Sequence, residues 1–213
     1  EWIDAWRVEE MYAGIPNCGA VGAWHEALAH IEDHKLNGQH FCGAAADIAK
    51  FFDQVRRNLV IKLAKQAGMP PKVAGAYERF LEGMKIHNCV AGSIGKAHQR
   101  KCGLPQGCPF SMAMVALIMR PWVSLMKKIG SIRCFILADD ILIIADGKHM
   151  IGKLAQAVNK THEYLQQMGA RVALDKSFHF VSSTKAAKWL ADTTWEHLGK
   201  TIEVVKDFRY LGA

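Results

Sequence analysis

The sequence predicts an α+β fold in which helices pack as a layer against a sheet. Several segments repeat apolar residues every three or four positions, which is typical of helices with one buried face. Other segments are short apolar runs that end at turn residues, which indicates strands and hairpins. Because hairpins are mixed among the helices, a layered α+β architecture fits better than a purely parallel sheet.

The composition is that of an ordinary globular protein, with 213 residues, 50% of them hydrophobic and 22% charged. This length is ample for a buried core, and apolar residues along the whole chain exclude disorder. The most apolar stretch, residues 112–119, is interrupted by Arg120 and Pro121, well short of the roughly 20 residues that a membrane span needs. We therefore expect no membrane span. The chain starts at Glu1 without a leader, and we expect it to be a piece of a longer protein.

Basic residues outnumber acidic ones by 27 to 20, which gives a net charge of +7. Two interpretations of this surplus remain open: a solvated surface, or a polyanionic partner such as nucleic acid. The six cysteines form no C-x-x-C pair and no compact group with histidines, so we expect neither a zinc knot nor a disulfide framework. Reduced thiols inside a cell are the expected state.

The first third of the chain predicts two helical segments and a strand. Bulky apolar groups in residues 1–12 indicate a helical segment, and a stronger helix starts near Val21 and ends at Asn37-Gly38. An alanine-rich strand follows at residues 40–48.

The helix that starts near Val21 carries His30 and His34, which lie one turn apart. A metal ion needs a third ligand beside such a pair, and the sequence shows none nearby. We therefore expect a solvated helix face.

The middle of the chain predicts two more helices, over residues 53–67 and 71–84, separated by Gly68 and two prolines. Asp53 is expected to be the N-cap of the first of them. Residues 85–102 predict strands around a turn at residues 92–95, and a glycine- and proline-rich loop follows at residues 103–109.

The rest of the chain predicts a long apolar helix, capped by Ser111, that runs to about Lys128 with a kink at Pro121. A hairpin at residues 132–145 and a helix at residues 148–168 come next. The remaining signals are the helix terminator Gly169, a strand with Phe178 and Phe180 on one face, and a last hairpin that turns at Gly199-Lys200 before one more short strand.

Two adjacent carboxylates, Asp139 and Asp140, interrupt the wholly apolar run of residues 134–145. Ionised carboxylates are costly to bury without a cation, so we expect both in the two-residue turn of the hairpin, where they project from one rigid point. A turn that merely exposes two aspartates to solvent is the alternative to a metal site, although such turns usually prefer Gly or Asn.

A third carboxylate, Asp47, lies at the end of the alanine-rich strand. Asp47 has no capping role, because it sits inside the run from strand to turn. Three carboxylates at two adjacent strand ends would give the oxygen ligands that Mg²⁺ prefers.

The loop at residues 103–111 is stiff and rich in glycine, so its backbone can approach a flat or anionic ligand, and Gln106 adds an amide.

Together and in this order, these segments resemble the palm of a reverse transcriptase. Residues 46–53 look like motif A of that family, residues 103–111 like motif B, residues 137–140 like motif C, residues 169–176 like motif D and residues 208–212 like the motif E primer grip. The sequence Leu-Pro-Gln-Gly-Cys-Pro-Phe-Ser in motif B is the feature most specific to the reverse transcriptase family. The pattern is most similar to non-LTR retrotransposon proteins, with group II intron proteins next.

The resemblance implies a ferredoxin-like split βαβ palm sheet with helices on one face. It divides the chain into a partial fingers segment at residues 1–40 and a palm at residues 41–213, with a fingers-like insertion at residues 54–102. The upstream basic fingers residues and the thumb of the family are not found, so the full polymerase would need segments beyond this chain.

The activity implied is RNA-directed DNA synthesis with two Mg²⁺ ions, for which Mn²⁺ is a possible substitute. The implied metal ligands are the catalytic carboxylates Asp47, Asp139 and Asp140, together with the backbone carbonyl of Ile48. The residues implied to bind the incoming nucleotide are Phe52, as a gate against the ribose 2′-hydroxyl, Gln106, Gly107 and Lys176, which is also positioned to protonate the leaving group. The residues implied to touch nucleic acid are Lys96, Arg100, Lys101, Tyr210, Leu211 and Gly212.

The implied partners are an RNA template, a DNA primer and a deoxynucleoside triphosphate, with no membrane. The implied location is intracellular, and nuclear for a eukaryotic retrotransposon protein. One departure is Leu137, where the family usually has an aromatic residue at the start of motif C. An inactive nucleic-acid-binding module and a group II intron-type maturase stay open as alternatives. A nucleotide cyclase with a palm fold is disfavoured, because it leaves motif B unexplained.

Overall fold

The computed structural model describes residues 1–207. The helices in this range are α1 Ala20–Leu36, α2 Phe51–Gln54, α3 Arg57–Gln66, α4 Pro71–Gly83, α5 Pro109–Ile129, α6 Met150–Met168 and α7 Thr184–Asp192, preceded by a 3-10 turn at Ile3–Ala5. The strands in this range are β1 Phe41–Ile48, β2 Cys89–Val90, β3 Ser93–Ile94, β4 Ile132–Leu137, β5 Asp140–Asp146, β6 Val172–Val181 and β7 Glu203–Val205. The predicted α+β fold class is confirmed.

The main sheet has the strand order β4-β5-β1-β6-β7. The first four strands are antiparallel to their neighbours, and β7 runs parallel to β6. Strand β1 is central, and its small residues let large neighbours approach. A Cβ atom on Gly43 would lie only 2.1 Å from Cζ of Phe180, so the ring occupies the space of the missing side chain. The alanine-rich segment is therefore a strand, as predicted, because its small residues accommodate its neighbours.

The two faces of the sheet contact different helices. Along β5, Ile141 and Ile143 face the larger core, which also contains buried residues of α3, α5 and α6. Leu142 and Ile144 face the opposite way, toward a smaller core that includes two alanines of α1. This alternation is the two-residue period of a strand buried on both sides, and it fixes the register of the hairpin.

Helix α5 is long and apolar enough to cross a membrane by length and composition alone, and 61% of its most apolar 18-residue window is buried inside the molecule. As predicted, α5 continues through Arg120 and Pro121 to Ile129, so its apolar length exceeds the stretch at residues 112–119. Its apolar side chains have a partner in the core, where the indole of Trp122 donates a 2.9 Å hydrogen bond to Thr161 of α6. We interpret α5 as the central core helix.

Two predicted helical segments differ from the structure. Residues 1–12 contain only the short 3-10 turn. The helix expected over residues 53–67 is split into α2 and α3 by non-helical backbone at Val55 and Arg56. The loop at residues 103–109 stabilises this break, because Leu104 and Gly103 donate hydrogen bonds to the carbonyl oxygens of Phe52 and Val55, at 2.7 and 2.8 Å.

Neither predicted capping residue is a cap. Asp53 lies inside α2, and its carboxylate forms an ion pair with Arg100 at 2.6 Å. Ser111 lies inside α5, where its side chain is fully buried and its Oγ lies 3.4 Å from the hydroxyl of Tyr77. Both side chains therefore make tertiary contacts that the sequence pattern does not contain.

Two further differences are local. The small hairpin of β2 and β3 turns at Ala91-Gly92, both with positive φ, one residue before the expected position. Helix α7 was not predicted, and the expected last hairpin consists of a single bridge between Trp195 and Lys200, followed by the expected short strand, β7.

Candidate active site

The three predicted catalytic carboxylates meet at one end of the central strands. In the β1–β5 ladder, Asp47 lies directly opposite Asp140. The backbone N–H of Ile48 donates a 3.2 Å hydrogen bond to the carbonyl oxygen of Asp139. The β1–β6 register shifts between Ala45 and Asp47, and such irregularities often orient a side chain at a functional site. The register therefore places three acidic residues from distant parts of the chain side by side.

The turn of the β4–β5 hairpin lies one residue earlier in the chain than predicted. Ala138 and Asp139 form the turn, whereas Asp140 is the first residue of β5 and pairs with Leu137. The alternation of buried residues along β5 enforces this register, because a shift by one residue would turn every side chain to the other face. Ala138 adopts a φ of +58°, which is unfavourable for a residue with a Cβ atom. Backbone strain of this kind often marks functional sites.

The carboxylates are half-buried and poorly compensated. Burial raises the pKa of Asp139 above its usual value. Burial also raises the pKa of Asp140 to about 6, with the negative charges of Asp139 and Asp47 adding to the effect. Desolvation and like charges both favour the protonated form, and an additional cation would reverse both effects. The site therefore has an excess of negative charge that a divalent ion would neutralise.

The ammonium group of Lys176, on β6, is the cation that contacts this cluster. Its Nζ atom lies 3.0 Å from Oδ2 of Asp47, and the hydrogen bond raises the pKa of Lys176. The lysine side chain is 63% exposed, whereas that of Asp47 is only 18% exposed. Lys176 therefore lies beside the acidic cluster that the sequence linked it to, and it is free to move into solvent.

The donor set has the chemistry that Mg²⁺ prefers, because it consists of hard carboxylate oxygens. Ile48, whose carbonyl was a predicted ligand, is fully buried at the end of β1. Within residues 1–207, however, the oxygens of Asp47, Asp139 and Asp140 are not a set that all lie within 4.8 Å of one another. Binding of a single ion by all three carboxylates would therefore require these side chains to move closer together.

The motif B loop packs directly on motif A. The N–H groups of Gly103 and Leu104 donate to the carbonyl oxygens of Val55 and Phe52, respectively. Gly103 also has a φ of +88°, and a Cβ atom there would lie 3.0 Å from the carbonyl oxygen of Asp53. Only glycine therefore fits at this junction. Phe52 is half-buried, and its side chain packs against the larger core.

Arg57 is a positioning residue that the sequence reasoning missed. Its guanidinium donates hydrogen bonds to the carbonyl oxygens of Gly103, Leu81 and Arg100, at 2.8, 2.6 and 2.7 Å. The arginine thereby ties the motif B loop to α4 and to the irregular segment before the loop. No signal in the sequence identifies these backbone partners of Arg57, because they lie in other segments of the chain.

The other predicted contact residues lie on the surface around this loop. Gln106 and Gly107 are exposed, and Gln106 lines a cavity of about 220 Å³ together with Asp53 and Arg100. Lys96 and Lys101 are exposed as well. The predicted primer-grip residues Tyr210, Leu211 and Gly212 lie outside the described residues.

The expectation that His30 and His34 lie on a solvated helix face is wrong. Their side chains are only 9% and 10% exposed, and both Nε2 atoms lie near Oδ2 of Asp146, at 3.3 and 3.7 Å. Asp146 ends β5, more than a hundred residues further along the chain, which is why the sequence did not show it as a third ligand. Burial is the main cause that lowers the pKa of His30.

Solved structures similar to this chain are telomerases of two yeasts. The structure of apo telomerase from Candida tropicalis, truncated from its C-terminal domain, has a TM-score of 0.64 at 16% identity, over 86% of this chain and 39% of that one. Telomerase from Candida tropicalis with the TWJ fragment of telomeric RNA gives 0.58 at 14% identity, over 76% and 29%. The corresponding complex from Candida albicans gives 0.53 at 13% identity, over 76% and 30%.

These similarities identify the fold, and the chain spans well under half the length of the structures it resembles. No curated protein matches the sequence. A family model described as reverse transcriptase (RNA-dependent DNA polymerase) matches residues 11–213, which is nearly the whole chain and includes all the segments that form the acidic site. The chain therefore belongs to the reverse transcriptase family.

Proposed function

We propose that this chain is the palm, with part of the fingers, of an RNA-directed DNA polymerase. In this proposal residues 41–213 form the palm, residues 54–102 a fingers-like insertion and residues 1–40 a segment of the fingers. The reaction transfers a nucleotide from a deoxynucleoside triphosphate to the 3′-hydroxyl of a DNA primer on an RNA template. The single observation that carries the proposal is the pairing of Asp47 with Asp140 beside the Asp139 turn.

Asp47, Asp139 and Asp140, with the Ile48 carbonyl, would hold two Mg²⁺ ions. When bound, the ions supply Lewis-acid activation of the primer hydroxyl and neutralise charge on the triphosphate, and Mn²⁺ is a possible substitute. The protein contributes position and electrostatics, since the raised pKa of Asp140 reflects a cluster in need of positive charge.

Lys176 has a proposed role at the leaving group. In the free protein its ammonium is hydrogen-bonded to Asp47. The exposed side chain of Lys176 would contact the triphosphate and would donate a proton to the departing pyrophosphate. Phe52 is the proposed gate against a ribose 2′-hydroxyl, and the hydrogen bond from Leu104 to its carbonyl oxygen supports this role by holding the residue beside the motif B loop.

Gln106 and Gly107 would line the nascent base pair, and Lys96, Arg100 and Lys101 would contact nucleic-acid phosphates. Arg100 is already paired with Asp53, so the two exposed lysines offer the less compensated charge. Tyr210, Leu211 and Gly212 complete the proposal as the primer grip. Phosphate contacts of this kind should weaken binding as salt rises.

The wording of motif B and the order of the motifs support a non-LTR retrotransposon type, with a group II intron-type maturase next. A non-LTR protein would act inside the cell, in the nucleus of a eukaryote. The thumb and the remaining fingers would come from flanking segments of a longer protein.

Primer extension on an RNA template tests the proposal in a longer protein that includes those flanking segments. Asp139→Asn should lower the extension rate more than about a hundredfold, because it removes a charge from the site that holds the metal ions. Asp192→Asn, which removes an exposed carboxylate at the end of α7, is the matched control and should stay within about twofold of the unsubstituted protein.

Equal extension by the unsubstituted and Asp139→Asn proteins would show that the carboxylates are not catalytic. If neither protein extends a primer yet both bind RNA, the alternative of an inactive nucleic-acid-binding module is correct.

A further inference from the structure

A second cluster of metal-ligating side chains lies at the other end of β5, away from the carboxylate site. It consists of His30 and His34 on α1 and Asp146 at the end of β5. Each residue contributes one ligand atom, and these three atoms all lie within 4.8 Å of one another. Among residues 1–207, no other set of three His, Cys, Asp or Glu side chains meets that condition.

The hydrogen bond of His34 fixes which of its ring nitrogens carries a proton. Its Nδ1 atom lies 2.9 Å from the backbone carbonyl oxygen of His30. A carbonyl oxygen only accepts, so Nδ1 must donate, and in the neutral ring Nε2 then carries a lone pair. That lone pair faces Oδ2 of Asp146 at 3.7 Å, and two acceptors that face each other need a cation between them. Metal-ligating histidines commonly have this backbone hydrogen bond on the other nitrogen.

His30 provides an independent observation. Its side chain is more than nine-tenths buried, and within residues 1–207 its Nε2 atom has no hydrogen-bond partner. That atom nevertheless lies 3.3 Å from Oδ2 of Asp146. Asp146 is thus close to that atom without forming a hydrogen bond with it, and a buried polar atom without a hydrogen bond is unfavourable and favours a ligand.

We propose that His30, His34 and Asp146 bind a single Zn²⁺ ion. A tetrahedral zinc with bonds of about 2.0 to 2.1 Å separates its ligand atoms by about 3.4 Å. The two nitrogen–oxygen distances, 3.3 and 3.7 Å, are close to that edge, and the two nitrogen atoms lie within 4.8 Å of each other. The two histidines are four residues apart and so lie on the same face of α1. Two imidazoles and one carboxylate suit a borderline metal such as zinc better than magnesium.

The fourth coordination position is available to water. A cavity of about 710 Å³ borders the cluster, and His34 and Asp146 are part of its wall. The ion would hold α1 against the sheet. This matters because the buried residues of α1 are only Ala23, Ala27 and His34, and two alanines bury little apolar surface.

Zinc titration of the whole chain by calorimetry, after treatment with EDTA and dialysis, tests the proposal. We expect one tight site per chain and a higher unfolding temperature with zinc than with EDTA. His34→Gln and Asp146→Asn should weaken binding more than about tenfold, since even indirect partners of a zinc ligand cost that much. His25→Gln, on an exposed position of the same helix, is the matched control and should bind as tightly as the unsubstituted chain.

Two further measurements separate this site from others on the chain. Asp139→Asn should leave the zinc affinity unchanged, because that carboxylate lies at the opposite end of β5. Co²⁺ should give the visible absorption of a tetrahedral site without a sulfur charge-transfer band, which excludes the exposed thiols of Cys18, Cys89 and Cys102 as ligands.

If a variant fails to fold, NMR of the unsubstituted chain provides a second test. Addition of zinc should shift the imidazole ring signals of His30 and His34 and leave the ring signal of His25 unchanged. Absence of tight zinc binding would overturn the proposal, and the two histidines would then be ion-pair partners of Asp146 when protonated. Equal loss of affinity in the His34→Gln and His25→Gln variants would overturn it as well.

Discussion

The two ends of strand β5 carry the same residue type and have opposite surroundings. Asp140, at the start, meets Asp47 and Asp139, whereas Asp146, at the end, meets two imidazoles. Six residues separate the two aspartates, or about 20 Å of strand. Burial, together with the negative charges of Asp139 and Asp47, raises the pKa of Asp140 to about 6 and creates a need for hard divalent ions. The histidines at the other end provide nitrogen ligands for a softer ion. The comparison shows that the neighbours, more than the aspartate itself, decide which cation a strand end attracts.

The largest expected change in folding stability comes from lowering the pH, and it depends on two buried histidines elsewhere in the fold. Burial lowers the pKa values of His162 and His179 to about 4. Their unfolded pKa is about 6.5, so between these values the unfolded chain binds protons that the folded chain does not. Folding stability should therefore fall as the pH drops from about 6.5 to 4, by about 3 kcal/mol per histidine at the lower limit.

Thermal unfolding in EDTA, recorded across this pH range, measures that slope. His179→Gln should flatten the slope, and His25→Gln, at an exposed position, should not. Asp140 works in the opposite direction, because its raised pKa favours the folded state as pH falls, but its half-exposed position makes that effect smaller. A stability that stays constant or rises toward pH 4 would refute the assignment of neutral, buried histidines.

A smaller effect compares the two aspartates directly. Asp140→Asn should stabilise the folded chain at pH 7 by on the order of 1 kcal/mol, because it removes a desolvated charge that like charges repel. Asp146→Asn should not stabilise it, because the substitution removes the oxygen that faces two imidazoles. Unfolding temperatures in EDTA compare the variants without metal. If both substitutions shift stability in the same direction by the same amount, the two strand ends are electrostatically equivalent and the comparison fails.

Features of the fold that depend on neighbouring residues, such as helix ends and hairpins, could be predicted from the sequence. The end of α6 at Gly169 was predicted from glycine alone, and the structure shows a φ of +79° there. The alternation of apolar residues predicted the β4–β5 hairpin, and the family resemblance brought Asp47 to it. These features depend on periods and turns that lie within a few residues, which is why a single sequence reveals them.

What the sequence could not predict depends on contacts between distant residues. The hairpin register is set by which faces of β5 are buried against which helices, so the turn was displaced by one residue. Asp53 looked like a helix cap, and its actual partner is Arg100, which lies 47 residues away. The cluster of His30 and His34 was incomplete without Asp146, which tertiary folding alone brings within reach.

The central claim is that Asp47, Asp139 and Asp140 form a site for divalent ions, and Mn²⁺ binding followed by electron paramagnetic resonance tests it most directly. The account predicts that the chain binds Mn²⁺ and that Asp139→Asn weakens this binding at least about tenfold, while Asp192→Asn, at its exposed position, leaves it unchanged. Mn²⁺ affinity that is the same in the unsubstituted and Asp139→Asn chains would contradict it.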